Sequence, residues 1–479
     1  MKAKFLILAT LSTISTFASE GGEHENPFSK EFLAMFFILI AAVLGRFIAR
    51  RFKQSEVLGE LIIGIALGAA LFSMNNRLVT TIRYQNEMRE IITATSELEA
   101  EFDDAVVQYV RNETELPEDA QDRIISTMTS DNFVNSFLNA NYTLLFSSLG
   151  VLLLLFMVGL EVSTAEMIKM GSVSFSVATL GVVFPFVLGY LVAAFLIPSV
   201  ESQNVAIFIG ATLAATSIGI TARVFKDAKA LDFKESKLVL GAAVIDDIMG
   251  LVLLAVVSGL VTSGSIDFTD VVVIVAKALG FLVFVFLSER YFLRHVIQFF
   301  AFFAGKNTFL LFPFTLLLLF AWLASAIGLA PIVGAFCAGL VLKDELFKPF
   351  KKKDQSLEDL IAPLEGIFAP VFFVLMGFQV DIMAFGNLDV LWAGLLLTVV
   401  AIAGKMLASV FLPKTYDRLL VGIGLVPRGE VGLIFASIGK AVGVLNDELF
   451  AVVIIVVILT TLVTPPMLNV RLRKLVASK

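Results

Sequence analysis

Cysteine, histidine and charge are all scarce in this chain. One of its 479 residues is cysteine and two are histidine. A single thiol, Cys337, excludes an intrachain disulfide and any multi-cysteine metal site. His24 and His295 are too few and too far apart in sequence to suggest a metal cluster. Charged residues make up 16%, well below the ~25% of soluble domains. The net charge is −6 and no basic tract is interleaved with aromatics, so nucleic acid is not an expected partner. Only 13 prolines stand against 45 phenylalanines, which excludes a disordered chain. What the chain has in surplus is apolar residues, at 58%. That is too many for one soluble core, so lipid is the solvent for most of the protein.

Residues 1–19 read MKAKFLILATLSTISTFAS, two lysines before a short apolar run and a small-residue stretch, the pattern of a secretory signal. The run is too short for about 30 Å of hydrocarbon. An uncleaved N-terminus is the alternative. Apolar stretches then recur near 31–50, 56–73, 143–162, 171–197, 204–225, 237–262, 269–289, 307–326, 329–343, 363–381, 389–412, 417–440 and 450–470. Continuous runs of this length satisfy their backbone in lipid as helices. The expected fold is therefore an all-α integral membrane protein with about 13 transmembrane helices. Residues 31–471 make up the transmembrane domain. A polar, acidic insertion at 74–142 with helical periodicity interrupts it and reads as two or three short helices outside the membrane. A spacer or dimer-contact element is the expected role of that insertion.

Positive charge orients the spans. One set of loops holds Arg46, Arg50, Arg51 and Lys53, then Lys226, Lys229 and Lys234, later Lys351 to Lys353, and finally Arg471, Arg473 and Lys474. The alternate loops at 197–205, 262–270 and 381–389 hold no lysine or arginine. This places the N-terminus outside and the C-terminus in the cytoplasm, in agreement with the signal.

Charge inside a span is costly and marks function. The span 237–262 contains Asp246 and Asp247, roughly 14 Å from its cytoplasmic end at 1.5 Å per residue. Neighbouring side chains diverge by about 100° around a helix. One carboxylate can therefore face an aqueous cavity while the other faces a neighbouring helix. The span 389–412 contains Lys405 at a depth of roughly 11 Å. A buried Lys–Asp pair relieves much of the desolvation cost of both groups; the alternative is that Lys405 snorkels to the surface.

Two spans look broken. GATLAATSIGITARVF (210–225) has a small, hydroxyl-rich centre that includes Thr216 and Ser217. GIGLVPRGEVGLIFASIG (422–439) has Pro427 and Gly429 beside Arg428 and Glu430. Proline frees a carbonyl, and interrupted spans in matching positions mark the binding site of inverted-repeat transporters. Arg428 and Glu430 are expected to neutralise each other and the half-helix ends. The trio 171–197, 204–225 and 237–262 has the same rhythm as the Lys405 span, the Pro427 span and 450–470. The two trios start on opposite sides of the membrane, as in an inverted repeat.

With FMVGLEVS (156–163), ATSIGITARVF (215–225), GAAVIDDIMGLVLLAVVSG (241–259), APVFFVLMGFQVD (369–381), Gly404–Lys405 and LVPRGEVGLIFA (425–436) assembled, the chain resembles the monovalent cation:proton antiporter superfamily, in its second family. It is most similar to the bacterial sodium/proton antiporters of the NapA and NhaA type. The resemblance runs from about residue 31 to 471 and omits the insertion. It implies a homodimer in the bacterial cytoplasmic (inner) membrane. Each subunit would have a dimerisation domain and a core with two crossed, unwound helices. It also implies that Asp247 binds the cation and that Asp246 pairs with Lys405. Related potassium-efflux proteins usually carry Gln at the first acidic position, where this chain has Asp246, and often a nucleotide-binding domain. Only nine residues follow position 470, and no such domain is expected here.

The expected activity is exchange of Na⁺ or Li⁺ for protons by alternating access, electrogenic if Asp246–Lys405 forms a second titrating unit. Asp247, the hydroxyls of Thr216 or Ser217, and water can supply the oxygen ligands that a hard cation prefers. No cofactor is expected, and no nucleophile–base pair at mid-depth suggests an enzyme. K⁺/H⁺ exchange is the alternative within the class. A channel or sensor on the same fold, and a sodium-coupled solute symporter, are the alternatives outside it.

Overall fold

The computed structural model describes residues 29–52, 54–95, 101–114, 116, 118–161, 164–200, 202–263, 268–304, 308–342, 356–380, 386–441 and 443–477. The expected signal at 1–19 lies outside the described residues. Among the described residues every regular element is a helix. Its elements are α1 (Ser29–Arg51), α2 (Glu56–Ser73), α3 (Arg77–Arg83), α4 (Gln85–Thr95), α5 (Phe102–Glu113), α6 (Glu118–Met128), α7 (Phe133–Glu161), α8 (Thr164–Leu196), α9 (Gln203–Ala214) and α10 (Ile218–Asp227). They continue with α11 (Lys234–Ser263), α12 (Phe268–Leu287), α13 (Leu293–Ala304), α14 (Thr308–Ala326), α15 (Pro331–Val341), α16 (Leu357–Phe378), α17 (Leu388–Val410), α18 (Arg418–Gly424), α19 (Gly429–Ala441) and α20 (Asp447–Ala477).

Local chemistry sets several of these boundaries. Pro331 opens α15 at its first turn, where a missing N–H costs nothing. Ser356 and Asp359 form a reciprocal capping box at the start of α16. Asp417 accepts a hydrogen bond from the Leu420 N–H at the start of α18. Among the described residues, nine helical stretches are long and apolar enough to cross a membrane. Helix α11, with its acidic pair, and the broken α18–α19 stand outside those nine.

The helices sort into two bundles. In the first, α7 packs along α15 and α16, α2 packs on α1 and α16, and α14 packs on α15. In the second, α8 is the hub for α9, α11 and α17, while α20 packs along α17 and α19. The second bundle is thus built from two matching trios: α8, α9–α10 and α11; then α17, α18–α19 and α20. A helix that runs from α12 through a five-residue π-helical turn at Ser288–Phe292 into α13 leads from one bundle to the other. It touches α11 and α15 on one side of the turn and α14 on the other. The expected span at 269–289 is therefore part of a longer helix, whose second half carries Arg294 and His295.

The insertion holds more helix than expected. Four helices, α3 to α6, lie between residues 77 and 128, and its last residues are the first turns of α7. Met88, Ile91, Val106, Val110, Ile124 and Met128 give it a small core of its own. It is fixed to the ends of α2 and α16. The guanidinium groups of Arg83 and Arg123 lie over the Phe72 ring, 4.0 and 4.3 Å from its centroid. Arg83 also donates to the Phe378 and Val380 carbonyls, both at 2.8 Å. Those carbonyls lie at the end of α16, where no helical partner remains for them.

Candidate functional site

Both expected breaks are present, and they meet. The chain leaves helical geometry at 215–217, between α9 and α10, and again at 425–428, between α18 and α19. The Ser217 N–H donates to the Pro427 carbonyl at 2.8 Å. Thr216 donates its hydroxyl to the Leu425 carbonyl at 3.4 Å, and Thr221 donates to the Gly424 carbonyl at 2.7 Å. The freed backbone of each segment is thus satisfied by the other, as buried polar groups require. Gly429 makes this approach possible. Its φ is +31°, and a side chain there would meet the Ser217 hydroxyl oxygen at 2.5 Å.

A crossing of this kind leaves two half-helix C-termini with unpaired carbonyls and partial negative charge. A buried cation serves each. Lys405 on α17 is 0% exposed and donates from Nζ to the Ala214 carbonyl, the last of α9, at 2.9 Å. Arg428 is 1% exposed and donates from Nη1 to the carbonyls of Val426 at 2.9 Å and Leu425 at 3.2 Å, just past α18. Both cations come from the second trio, and between them they serve one half-helix end in each trio.

Lys405 has a second partner. Its Nζ lies 3.5 Å from the carboxylate of Asp246, which is 2% exposed. Lys405 is thus the ion-pair partner of this carboxylate at the crossing. Asp247, one residue on, is only half-buried. The divergence expected for adjacent helical residues places the two acids in different surroundings.

Of the residues singled out from sequence, the structure brings Asp246, Lys405, Thr216, Ser217 and Arg428 to the crossing, with Asp247 beside Asp246 on α11. Thr216 and Ser217 are both buried there. The side chain of Glu430 lies outside the described residues, although its backbone is in α19.

Sequence reasoning missed two partners on α8. Gly181 borders the lysine's path: a Cβ there would sit in ordinary contact with Lys405 Nζ at 3.4 Å. Pro185, one turn on, packs against Gly404, where an added Cβ would meet the proline ring nitrogen at 2.8 Å. The signal was a proline and a glycine four residues apart within one span, which is compatible with many packings.

A second charge cluster lies toward the basic ends of the helices. Arg223 on α10 pairs with Glu365 on α16, with Asp227 at 2.9 Å and with Glu56 on α2 at 3.7 Å. Lys226 reaches Glu365 at 3.0 Å. Arg46 on α1 pairs with Glu60, which is 0% exposed, and with Glu56 at 3.4 Å. Glu60 is a buried member of this cluster.

The family described as sodium/hydrogen exchanger, transmembrane, matches residues 37–474. The chain belongs to this family. Among its relatives, the high-affinity Na⁺/H⁺ antiporter NhaS3 of Synechocystis sp. (strain ATCC 27184 / PCC 6803 / Kazusa) is 33% identical over 447 residues, 91% of this chain and 88% of that protein. An Na⁺/H⁺ antiporter of Enterococcus hirae is 31% identical over 339 residues, 70% of this chain and 86% of the relative. The solved structure of the sodium proton antiporter MjNhaP1 from Methanocaldococcus jannaschii at pH 8 matches with a TM-score of 0.55. It covers 94% of this chain and 97% of the other at 16% identity, a likeness of fold. The exchanger family and all-helical membrane fold expected from the motifs therefore hold, and the protein is a multi-pass membrane protein.

Proposed function

We propose that this protein exchanges Na⁺ for protons across the bacterial cytoplasmic membrane, with the N-terminus outside and the C-terminus in the cytoplasm. The observation that carries this reading is the division of labour within one acidic pair. Asp246 is buried and neutralised by Lys405, while its neighbour Asp247 is half-buried. Full membership of the exchanger family and the names of its relatives as Na⁺/H⁺ antiporters support the same choice of ions.

Asp247 is the carboxylate that takes the cation or the proton in turn. A proton on its oxygen removes the charge that attracts Na⁺, and bound Na⁺ disfavours the proton. Exchange follows from that competition once the site is open to one side at a time. Thr216 and Ser217 border the site, and their hydroxyl oxygens are hard donors suited to an alkali ion. The bundle of matching trios moves against the first bundle and carries the site between the two faces. The first bundle also forms the contact between subunits of a homodimer. Lys405 and Arg428 hold the half-helix ends in place, so the crossing moves as one body. Transient release of Asp246 from Lys405 allows a second proton to move, which makes transport electrogenic.

The test is dissipation of a pH gradient in proteoliposomes, with Na⁺, Li⁺ or K⁺ supplied in turn and with and without an imposed voltage. Na⁺ and Li⁺ are expected to collapse the gradient in the wild type, and Asp247→Asn is expected to abolish the response. Substantial Na⁺-driven proton movement in Asp247→Asn overturns the assignment. A response to K⁺ alone favours K⁺/H⁺ exchange.

A further inference from the structure

The cluster around Arg223 takes no part in holding the ion, yet it lies where the two bundles meet. Arg223, Lys226 and Asp227 belong to α10, half of a crossed helix in the moving bundle. Glu365 belongs to α16, Glu56 and Glu60 to α2, and Arg46 and Arg50 to α1, all in the other bundle. The pairs Arg223–Glu365, Lys226–Glu365 and Arg223–Glu56 therefore cross the seam. Arg223 is six residues beyond Ser217, about 9 Å along the helix from the crossing. The cluster thus stands between the site and the basic ends of the helices.

The seam is built differently at its other end. There Leu61, Ile65 and Met376 face Ile454, Val457 and Ile458 around a small, mostly apolar cavity that Gln379 and Thr461 also line. Apolar contacts have no direction, and one such surface can slide over another at little cost. Buried ion pairs differ, because a guanidinium that leaves its carboxylate without finding another is strongly disfavoured. Arg223 and Glu365 are both buried, so their separation needs water or new partners. Arg46 and Arg50 already hold Glu56, so Glu56 stays fixed in the first bundle as a counter-ion when the seam closes.

We infer that Arg223 and Glu365, backed by Glu56 and Lys226, form the cytoplasmic gate of the exchanger. Paired, they close the seam between the ion site and the cytoplasm. Separated, they let the moving bundle expose the site on that side. This inference rests on the proposed exchange by alternating access and adds the residues that control one of its two openings.

The test uses two kinds of variant, both retaining Asp247. Glu365→Gln removes the shared carboxylate and keeps its shape. It is expected to shift the population toward the cytoplasm-open state. The Na⁺ KM measured from the cytoplasmic face should then fall, and that from the outer face rise, each by about threefold to tenfold. Unchanged values, or a loss of rate with both values shifted the same way, overturn the gate and leave a structural cluster. The second variant joins Arg223→Cys with Glu365→Cys in a Cys337→Ala background. A short, reducible cross-link between the two positions should arrest exchange, and reduction should restore it. Exchange at the uncross-linked rate in fully cross-linked protein also overturns the gate. Failure here leaves the ion site standing, because Asp247→Asn tests that site separately.

Discussion

Lys405 bonds in two directions at once: its ammonium lies 3.5 Å from the Asp246 carboxylate and donates to the Ala214 carbonyl at 2.9 Å. One side chain thereby links α17 to both the acidic helix and the end of a broken one. The two contacts do different work in the fold. The ion pair makes a buried charge tolerable, and the hydrogen bond satisfies a carbonyl that the unwound segment exposes.

The pair should therefore behave as a unit. Lys405→Ala leaves Asp246 buried without its nearest cation, and the expected cost is about 3–5 kcal/mol of stability. Adding Asp246→Asn should return part of that loss, with a coupling of about 1–3 kcal/mol in a double-mutant cycle. Thermal unfolding of the purified protein in detergent gives all four corners. Additive losses would show that the two side chains do not sense each other. In proteoliposomes, surviving Lys405→Ala protein should exchange without responding to voltage.

Competition at one carboxylate also fixes the sign of the pH dependence. Protons occupy Asp247 as pH falls, so the apparent affinity for Na⁺ must fall with it. Where the site is mostly protonated, the Na⁺ KM should rise about tenfold for each unit of pH lost, the limit for one competing proton. Initial rates of Na⁺-driven proton movement across a pH series measure this. A KM independent of pH would remove competition from the mechanism.

The crossing should be intolerant of bulk at Gly429. Valine there meets the Ser217 hydroxyl and takes a positive φ that suits a β-branched residue badly. A loss of about 1–3 kcal/mol is expected, together with most of the transport rate. Alanine should be milder in both respects. Unfolding and rate measured on the same preparations test the ranking; equal behaviour of the two variants would mean that the crossing is looser than described.

Phe72 should hold the insertion to its bundle. Phe72→Ala removes the ring beneath Arg83 and Arg123, at about 0.5–1 kcal/mol for each cation–π contact. Limited proteolysis of proteoliposomes should then cut faster within residues 77–128, while exchange stays measurable. Unchanged cutting would show that the backbone-carbonyl contacts of Arg83 and Arg123 suffice without the ring.

Much of the site was legible in the chain because lipid makes charge expensive. Asp246, Asp247 and Lys405 stand out for that reason, and counting residues from the span ends puts Lys405 and Asp246 at similar depths. Pro427 and Gly429 marked one break through backbone chemistry, and the hydroxyl-rich run around Thr216 marked the other. Gly181 and Pro185 were not legible, since what they pack against, Lys405 and Gly404, lies in a span far along the chain. Arg223 and Glu365 were hidden for a related reason. Each lies near the charged end of its own span, where charge is ordinary, and only their meeting across 142 positions makes them notable.

The amino-acid sequence alone determined that this is a helical membrane protein with acidic and basic groups at mid-depth and two interrupted spans. Those properties follow from solvent and local backbone chemistry, which act on each segment separately. The tertiary structure decided which half-helix end each cation serves, which of the two acids is neutralised, and which charges bridge the two bundles. Those outcomes depend on helix rotation and relative height, set by packing between segments far apart in the chain, and no local pattern encodes them.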